Sequence, residues 1–380
     1  MANTLTDVIP ELQTAAFNVG KKLVGFIPAC YKNNEASRAA FNQSVEYPIV
    51  PALTASSVTP SNVSATGSDM TITNGSMVMD NLRKTSWHFT GEQLRAMNGG
   101  DTPQRSEILR QIFERAMRVL TDEIEASLWS AAYKSSSRGT GTAGTTPFGT
   151  SGDLSDFALV RQILDDNGAG SDGLKIVVNT AAMANLRGKQ TVLYKVNESG
   201  SSQTLRQGVV GDIFGMDIHT SAQIGVHTKG TGTSYQLSAA GAVGDTSIAV
   251  DTGSGTLLAG DVVTVAGTSH KYIANSALAG GSFTIGRPGL LVAEADNDAI
   301  TIGNSYTPSV AFQESALHLI CREPDTGDDS ASDTVSVQDP HSGLVFQLAR
   351  YGQYMQSSWE MRVLYGCKAV NSDFIATLIG

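Results

Sequence analysis

Gly139-Thr140-Gly141-Thr142-Ala143-Gly144 has the G-x-G-x-x-G spacing with which a glycine loop cradles the pyrophosphate of a dinucleotide. That chemistry needs a strand before the loop and a helix opening on it, so that helical N–H groups face the phosphates. Here a long helical pattern precedes the glycines and none begins on them, so nucleotide binding is not expected. Asp325, Asp328, Asp329 and Asp333 gather four carboxylates in one short stretch, the raw material of a calcium loop. The glycine and terminal glutamate that such a loop requires are missing, which leaves a solvated acidic loop. The six histidines (His88, His219, His227, His270, His318 and His341) show none of the HxH, HxxH or HExxH spacings of metal sites. No G-x-S-x-G elbow presents a serine nucleophile. Cys30, Cys321 and Cys367 are too scattered for a disulfide framework or a zinc cluster. The expectation is a protein with no catalytic residue, cofactor or metal.

The totals point the same way. A chain of 380 residues can hold two or three domains with real cores. Its net charge is -10 and it has no long Lys/Arg run, which disfavours sequence-specific nucleic-acid binding. Only 16% of residues are charged while Gly, Ser and Thr abound, a composition suited to strands and many turns. The first residues show neither the basic nor the apolar region of a secretion signal. No window approaches eighteen uninterrupted apolar residues, so no membrane span is expected. Synthesis in a reducing cytoplasm is the simplest expectation.

The elements that would position any site start with an unusual one. Thr102 to Ser136 reads as one helix, with Thr102 as N-cap and Pro103 at the first helical position. Leu109, Phe113, Met117, Leu120, Ile124, Leu128 and Ala131 recur at three- and four-residue steps as one apolar stripe. At about 1.5 Å per residue this helix spans roughly 50 Å, a strut suited to bracing a shell or fibre. Residues 1–43 read as a peripheral arm in which Leu5, Val8, Ile9, Leu12, Ala16 and Val19 form a short amphipathic stripe. Residues 44–90 read as a long β-hairpin: Ser44 to Leu53 out, a polar tip from Thr54 to Asp69, and Met70 to Phe89 back. Asn74-Gly75 is expected to be a tight turn or bulge. Ser135 to Gly152 reads as a Gly/Thr/Ser loop.

After that loop come a second amphipathic helix from Leu154 to Asp165, a buried strand from Leu174 to Val178 and a helix starting at Thr180. Gly211 to Thr220 reads as a turn and strand. From Thr228 to Ser305 short strands recur between glycine turns: Ser247 to Val250, Val262 to Val265, His270 to Ala274, Ser282 to Ile285 and Ala299 to Ile302. That spacing signals a small β-barrel or sandwich inserted into a discontinuous α+β domain. Long strands at Leu344 to Ala349 and Glu360 to Val370 close the chain.

The order of these parts resembles the major capsid protein of tailed phages, the Hong Kong 97-type fold. Within it, the chain looks like the short-tailed-phage coat proteins that carry an inserted β-domain. Met77 to Leu94 (MVMDNLRKTSWHFTGEQL) is similar to the strand that returns from the extended loop into the peripheral domain. Ile176 to Leu186 (IVVNTAAMANL) resembles the axial-domain strand and helix. Ser309 to Arg322 (SVAFQESALHLICR) resembles the re-entry strand, and Arg362 to Val370 (RVLYGCKAV) the closing strand. Gly244 to Val250 and Leu258 to Ala266 resemble the Gly-Asp turns of such inserted domains.

The resemblance implies an N-arm, an extended hairpin loop, a peripheral domain with the spine helix (91–150), an axial domain (151–227), the inserted β-domain (228–305), and a return to both domains (306–380). It also implies pentamers and hexamers of this chain in an icosahedral virion head around double-stranded DNA. The implied partners are a separate scaffolding protein, a portal and an optional decoration protein, with no membrane. Inter-subunit contacts are expected at Leu5, Val8 and Leu12 of the arm, Thr59, Asn62 and Ser64 of the hairpin tip, and Arg118 of the spine. The hairpin tip carries no lysine and Lys84 lies beyond it, so isopeptide crosslinking is not expected. Nor does a long charged helical segment precede the arm, so no fused scaffolding domain is expected. A tail-tube or decoration protein is the alternative, sharing the β-rich turns but not the strut.

Overall fold

The computed structural model describes residues 15, 25–33, 38–49, 71–98, 104–190, 211–325, 331–339 and 342–380. They begin with one helical turn, α1 (Phe26–Ala29), whose Phe26, Ile27 and Ala29 are wholly buried. Two short strands follow, β1 (Tyr31–Asn33) and β2 (Arg38–Ala39). Next, β3 (Ser44–Ile49) and β4 (Thr73–Val78) pair antiparallel as a separate two-stranded ribbon, from Ser44 opposite Val78 to Ile49 opposite Thr73. This ribbon occupies the place of the expected hairpin, whose tip lies outside the described residues. Asn74-Gly75 is neither turn nor bulge: it sits within β4, opposite Pro48 and Tyr47. Packing explains the glycine, since a Cβ there would lie 2.5 Å from Cε2 of Tyr47.

β5 (Asn81–Thr90) alternates, with Thr85, Trp87 and Phe89 half-buried and Lys84, Ser86 and His88 exposed. After α2 (Gly91–Asn98) comes the strut, α3 (Gln104–Lys134), of 31 residues. Its expected cap, Thr102 and Pro103, lies outside the described residues. Leu109, Phe113, Met117, Leu120, Ile124 and Leu128 are all buried. Ala131 is only half-buried and Ala132 is the fully buried residue at that end. Over so many turns a 3.6-residue helix drifts from any fixed heptad spacing, and the stripe slides by one.

The supposed loop after the helix contains a strand, β6 (Arg138–Gly141). Gly139 and Gly141 therefore belong to a sheet, where a Cβ on Gly139 would lie 2.9 Å from Cδ1 of Ile379. The helix α4 (Ser155–Asp166), the strand β7 (Leu174–Asn179) and the helix α5 (Thr180–Lys189) fall where the sequence places them. Asn179 caps α5 by accepting from the Ala182 N–H at 2.7 Å. β8 (Asp212–Ile213) and β9 (Met216–Ser221) supply the turn and strand.

Within the glycine-rich stretch lie β10 (Thr233–Leu237), β11 (Ser247–Ser254), β12 (Val262–Val265), β13 (Lys271–Ile273), β14 (Ser282–Thr284) and β15 (Ala299–Ile302). β10 was not legible in the sequence; the others were. They pair antiparallel with one another, and Tyr235, Leu237, Ile248, Val263, Phe283 and Ile300 share one core. The remaining strands are β16 (Pro308–Gln313), β17 (Leu317–Pro324), β18 (Asp333–Gln338), β19 (Val345–Gln353), β20 (Gln356–Ala369) and β21 (Ile375–Ile379).

Two large sheets result, and the architecture is α+β. The first runs β1-β17-β20-β19-β18, with β5 on β20 and β2 on β17. Every second residue of β20, from Trp359 through Met361 and Val363 to Tyr365, joins the core that holds the α3 stripe. Trp87 of β5 meets Phe113 with ring centroids 6.0 Å apart, and the Tyr365 hydroxyl lies 3.0 Å from Ser127 Oγ. The second sheet runs β14-β11-β10-β15-β12-β13-β6-β21-β16-β7-β9-β8. It passes without a break from the glycine-rich strands into the α/β part, through Tyr272 opposite Arg138 and then Arg138 opposite Ala376. Helices α4 and α5 cover it with Phe157, Val160, Leu164 and Leu186.

The buried face of α3 makes a test. Leu120 is 1% exposed, so Leu120→Asp buries an unpaired charge and should cost several kcal/mol, abolishing soluble protein. Arg118, whose side chain is 53% exposed, faces Asp122 at 3.8 Å. Arg118→Ala should change stability by no more than about 0.5 kcal/mol in a denaturant titration. The reverse order of effects would place the wrong face of the helix on the sheet.

Candidate functional site

Among the described residues, no group of three or more His, Cys, Asp or Glu side chains could hold a metal ion. All three cysteines are free thiols, and burial pushes Cys321 up to about 11 and Cys30 up to about 12. They stay protonated and are not poised as nucleophiles. His219 and His318 are half-buried, and burial holds both imidazoles below their usual range. His341, Asp328 and Asp329 lie outside the described residues.

One histidine is different. His227 is buried, with Nε2 2.9 Å from Oδ1 of Asp261 and Nδ1 3.3 Å from the Tyr133 hydroxyl. Asp261, itself buried, also accepts from the N–H of Gly230 at 3.1 Å and of Leu258 at 2.7 Å. Neighbouring Tyr306 donates its hydroxyl to the Gly260 carbonyl at 2.8 Å. Burial pushes the Tyr133 hydroxyl up to about 12 and raises that of Tyr306 as well, so both remain donors. The imidazole thus bridges the Asp261 carboxylate and the Tyr133 hydroxyl through its two ring nitrogens. The backbones of His227 and Tyr306 bond each other at 2.8 and 3.2 Å, where the chain enters and leaves the glycine-rich strands. This is a lock on a neck, buried from solvent. Sequence reading passed over it because the partners lie far apart along the chain.

A second buried polar contact holds the entry of the chain. Glu125, on α3 and wholly buried, accepts from the N–H of Gly25 at 2.5 Å, Phe26 at 2.6 Å and Ile27 at 3.0 Å. Its carboxylate thus caps α1 from a hundred residues away, against the positive end of the helical turn. Burial pushes the Glu125 carboxyl up from its usual range, and the three backbone donors pull the other way. Gly25 is held close, since a Cβ there would lie 2.7 Å from Cγ1 of Val177 and 2.9 Å from the Thr220 carbonyl carbon. The available sequence signal was a glutamate directly beside stripe residue Ile124, where a charge needs a partner.

The remaining candidates are surfaces. Leu5, Val8, Leu12, Thr59, Asn62 and Ser64 lie outside the described residues. Arg118 is placed, exposed on the outer side of α3. The root of the β3–β4 ribbon is anchored: Met77 and Met79 pack with Ala39, Ile320 and Leu364, and Lys368 Nζ donates to the Ser76 carbonyl at 2.8 Å. Away from the root, Ile49 and Ile72 are 43% and 59% exposed. Lys84 is occupied on the sheet, its Nζ 3.0 Å from Oε2 of Glu360.

No family model and no curated protein matches the chain. Solved structures do resemble it. One from Mycobacterium phage Che8 is 13% identical over 89% of this chain and 84% of that one, with a TM-score of 0.48. The capsid of the cyanophage P-SCSP1u is 12% identical over 92% and 86% of the two chains, also at 0.48. The mature capsid of bacteriophage PhiM1 is 12% identical over 93% and 86%, again at 0.48. No described helix is long and apolar enough to cross a membrane.

The Glu125 cap is open to measurement. Glu125→Ala strands three buried N–H groups, each costing about 1–3 kcal/mol, so the variant should lose roughly 3 kcal/mol or more. Denaturant unfolding reads that loss. Hydrogen exchange at Phe26 and Ile27 should quicken well beyond exchange in β20. Unchanged protection at those two amides would dismiss the cap.

Proposed function

We propose that this chain is a major capsid protein of the Hong Kong 97 type, self-assembling into the icosahedral head that encloses packaged double-stranded DNA. One observation carries the reading: a 31-residue helix is braced on one side of a sheet whose Ile320 and Leu364 also root a two-stranded ribbon with exposed apolar residues. A two-stranded ribbon is marginal in water beyond its anchored root, and in this reading a neighbouring copy receives it. Chemistry competes poorly, because the buried polar groups described above bond one another or the backbone and face no substrate.

In this reading residues 1–43 are the arm and 44–90 the extended loop. Residues 91–150 hold the spine, 151–227 the axial domain and 228–305 the inserted β-domain, while 306–380 complete the axial and peripheral parts. Leu5, Val8 and Leu12 dock on a neighbouring subunit, as do Thr59, Asn62 and Ser64 at the loop tip and Arg118 on the spine. A separate scaffolding protein, a portal and an optional decoration protein complete the assembly. A net charge of -10 suits a shell that confines DNA without gripping its phosphates. Lys84 pairs with Glu360 on the sheet, away from the loop tip.

Electron microscopy and sedimentation of the chain, expressed alone or with a scaffolding protein, test this reading. Closed shells are expected; tubes or small oligomers only would overturn it. Deleting residues 1–22 should leave a folded subunit with an unchanged far-UV spectrum that no longer closes shells. Normal heads from that truncation would remove the arm from the assembly role. Residues 228–305 alone should fold cooperatively as an all-β unit, and a disordered proton NMR spectrum would reject that boundary.

A further inference from the structure

Where the β3–β4 ribbon rests on the first sheet, its seat includes a histidine. His318 lies on β17 with Tyr31 of β1 as its partner on one side and Lys368 of β20 directly opposite on the other. The Tyr31 ring is 4.7 Å from the imidazole, centroid to centroid, and the ring of Tyr47, on β3, is 6.2 Å away. Lys368 reaches the ribbon as well. Its Nζ lies 5.8 Å from the centre of the Tyr47 ring and donates to the Ser76 carbonyl of β4. One tyrosine of the ribbon is thus set over a histidine and a lysine of the sheet.

Only a neutral imidazole suits that place. On the turn before β17, the Ser315 carbonyl accepts from His318 Nε2 at 3.0 Å, and Glu314 is engaged with Lys175 at 2.9 Å. On the ribbon, Glu46 accepts from Nδ2 of Asn74 at 3.0 Å. On β1, Lys32 alternates to the opposite face, beside Leu319. Among the described residues, neither carboxylate bonds the imidazole. A protonated His318 would therefore stand across the strand pair from Lys368, like charge opposite like charge. The Tyr47 ring already holds one cation and gives little to a second. Burial disfavours the charged ring and outweighs the Ser315 carbonyl, which favours it.

We propose that His318 is an acid-released catch within the subunit: neutral, it lets Tyr47 sit on β17 and β20, and protonated, it frees the ribbon from the sheet. The sign follows from the seated state. A histidine in water titrates near about 6.5. His318 is held below its usual range while seated, so it takes up a proton more readily once the ribbon has lifted. The seat is therefore at full strength above about pH 6.5. It weakens as pH falls from there to the lower value of the seated imidazole, by up to about tenfold per pH unit. Release carries the exposed Ile49 and Ile72 away with the ribbon, so the reach of these side chains becomes a function of pH. The catch works inside one chain and does not depend on the shell reading above.

Hydrogen exchange of the full chain above and below about pH 6.5 reads the catch, once each amide is corrected for its intrinsic rate. A lifted ribbon is marginal in water, so protection of the β3 and β4 amides should fall several-fold on acidification while β20 stays level. His318→Gln can still donate to the Ser315 carbonyl and never carries a charge. Its ribbon should be protected equally at both pH values. Histidine NMR gives a second reading, with the His318 signal assigned by its loss in His318→Gln. That signal should titrate below about 6.5 in the wild type and move up toward that value in Tyr47→Ala, which empties the seat. Equal loss of protection in the ribbon and β20, or the same acid response in His318→Gln, would overturn the catch. So would a His318 titration that Tyr47→Ala leaves in place. Shell formation enters none of these measurements, so their failure leaves that reading standing.

Discussion

The whole structure depends on one apolar seam, the stripe of α3 laid on the first sheet. The helix has 31 residues and β20 has 14. At 1.5 Å per helical residue and about 3.3 Å per strand residue, both come to about 46 Å. The stripe packs on the row from Trp359 to Tyr365 of β20, and the same core takes in Val310 and Phe312 of β16 and Ile375 of β21, so the helix bridges both sheets. A shorter helix would uncover part of that row. β5, β17 and β19 take their places by pairing with β20.

The seam supplies burial but little direction, since apolar contact is non-directional. Direction comes from two polar pins on the same helix. Glu125 fixes where the N-terminal part of the chain enters, by three backbone bonds at residues 25–27. Tyr133, two turns further on, reaches His227 and through it Asp261, at the neck of the glycine-rich strands. The helix therefore positions segments that never pair with it. A buried polar contact adds less stability than an apolar one of equal size, but it tolerates few alternative arrangements. In the proposed shell, that trade suits a subunit whose copies must all present their edges alike.

What could be read from the sequence followed periodicity. The α3 stripe, α4, β7, α5 and all but one of the glycine-rich strands carry repeats of 3.6 or 2 over enough residues to be seen. β6 did not, because Arg138-Gly139-Thr140-Gly141 has no apolar alternation; its glycines serve close packing on β21, a fact visible only once Ile379 is placed. Asn74-Gly75 misled for the related reason that a strong turn signal is also what a strand uses to admit a tyrosine ring. Glu125, His227 and Asp261 were illegible as a set, since their partners lie 34 to 100 residues away. Of the surface residues expected to meet other subunits, Arg118 is placed and exposed; those of the arm and hairpin tip lie outside the described residues.

The distribution of exposed apolar residues completes the physical picture. The subunit keeps its large side chains inside along the seam, yet leaves small apolar patches exposed, that of Ile49 and Ile72 on the ribbon among them. In the proposed shell, each patch alone would be too small to hold two subunits together. When several such contacts close at once, every added one becomes intramolecular and their free energies combine, while any misplaced subunit forfeits most of them. A shell built from individually weak contacts can therefore discard errors as it grows and still be stable when complete. A rigid core with small sticky projections is the form of subunit that this requires, because only a rigid subunit can bring all its weak contacts into register together.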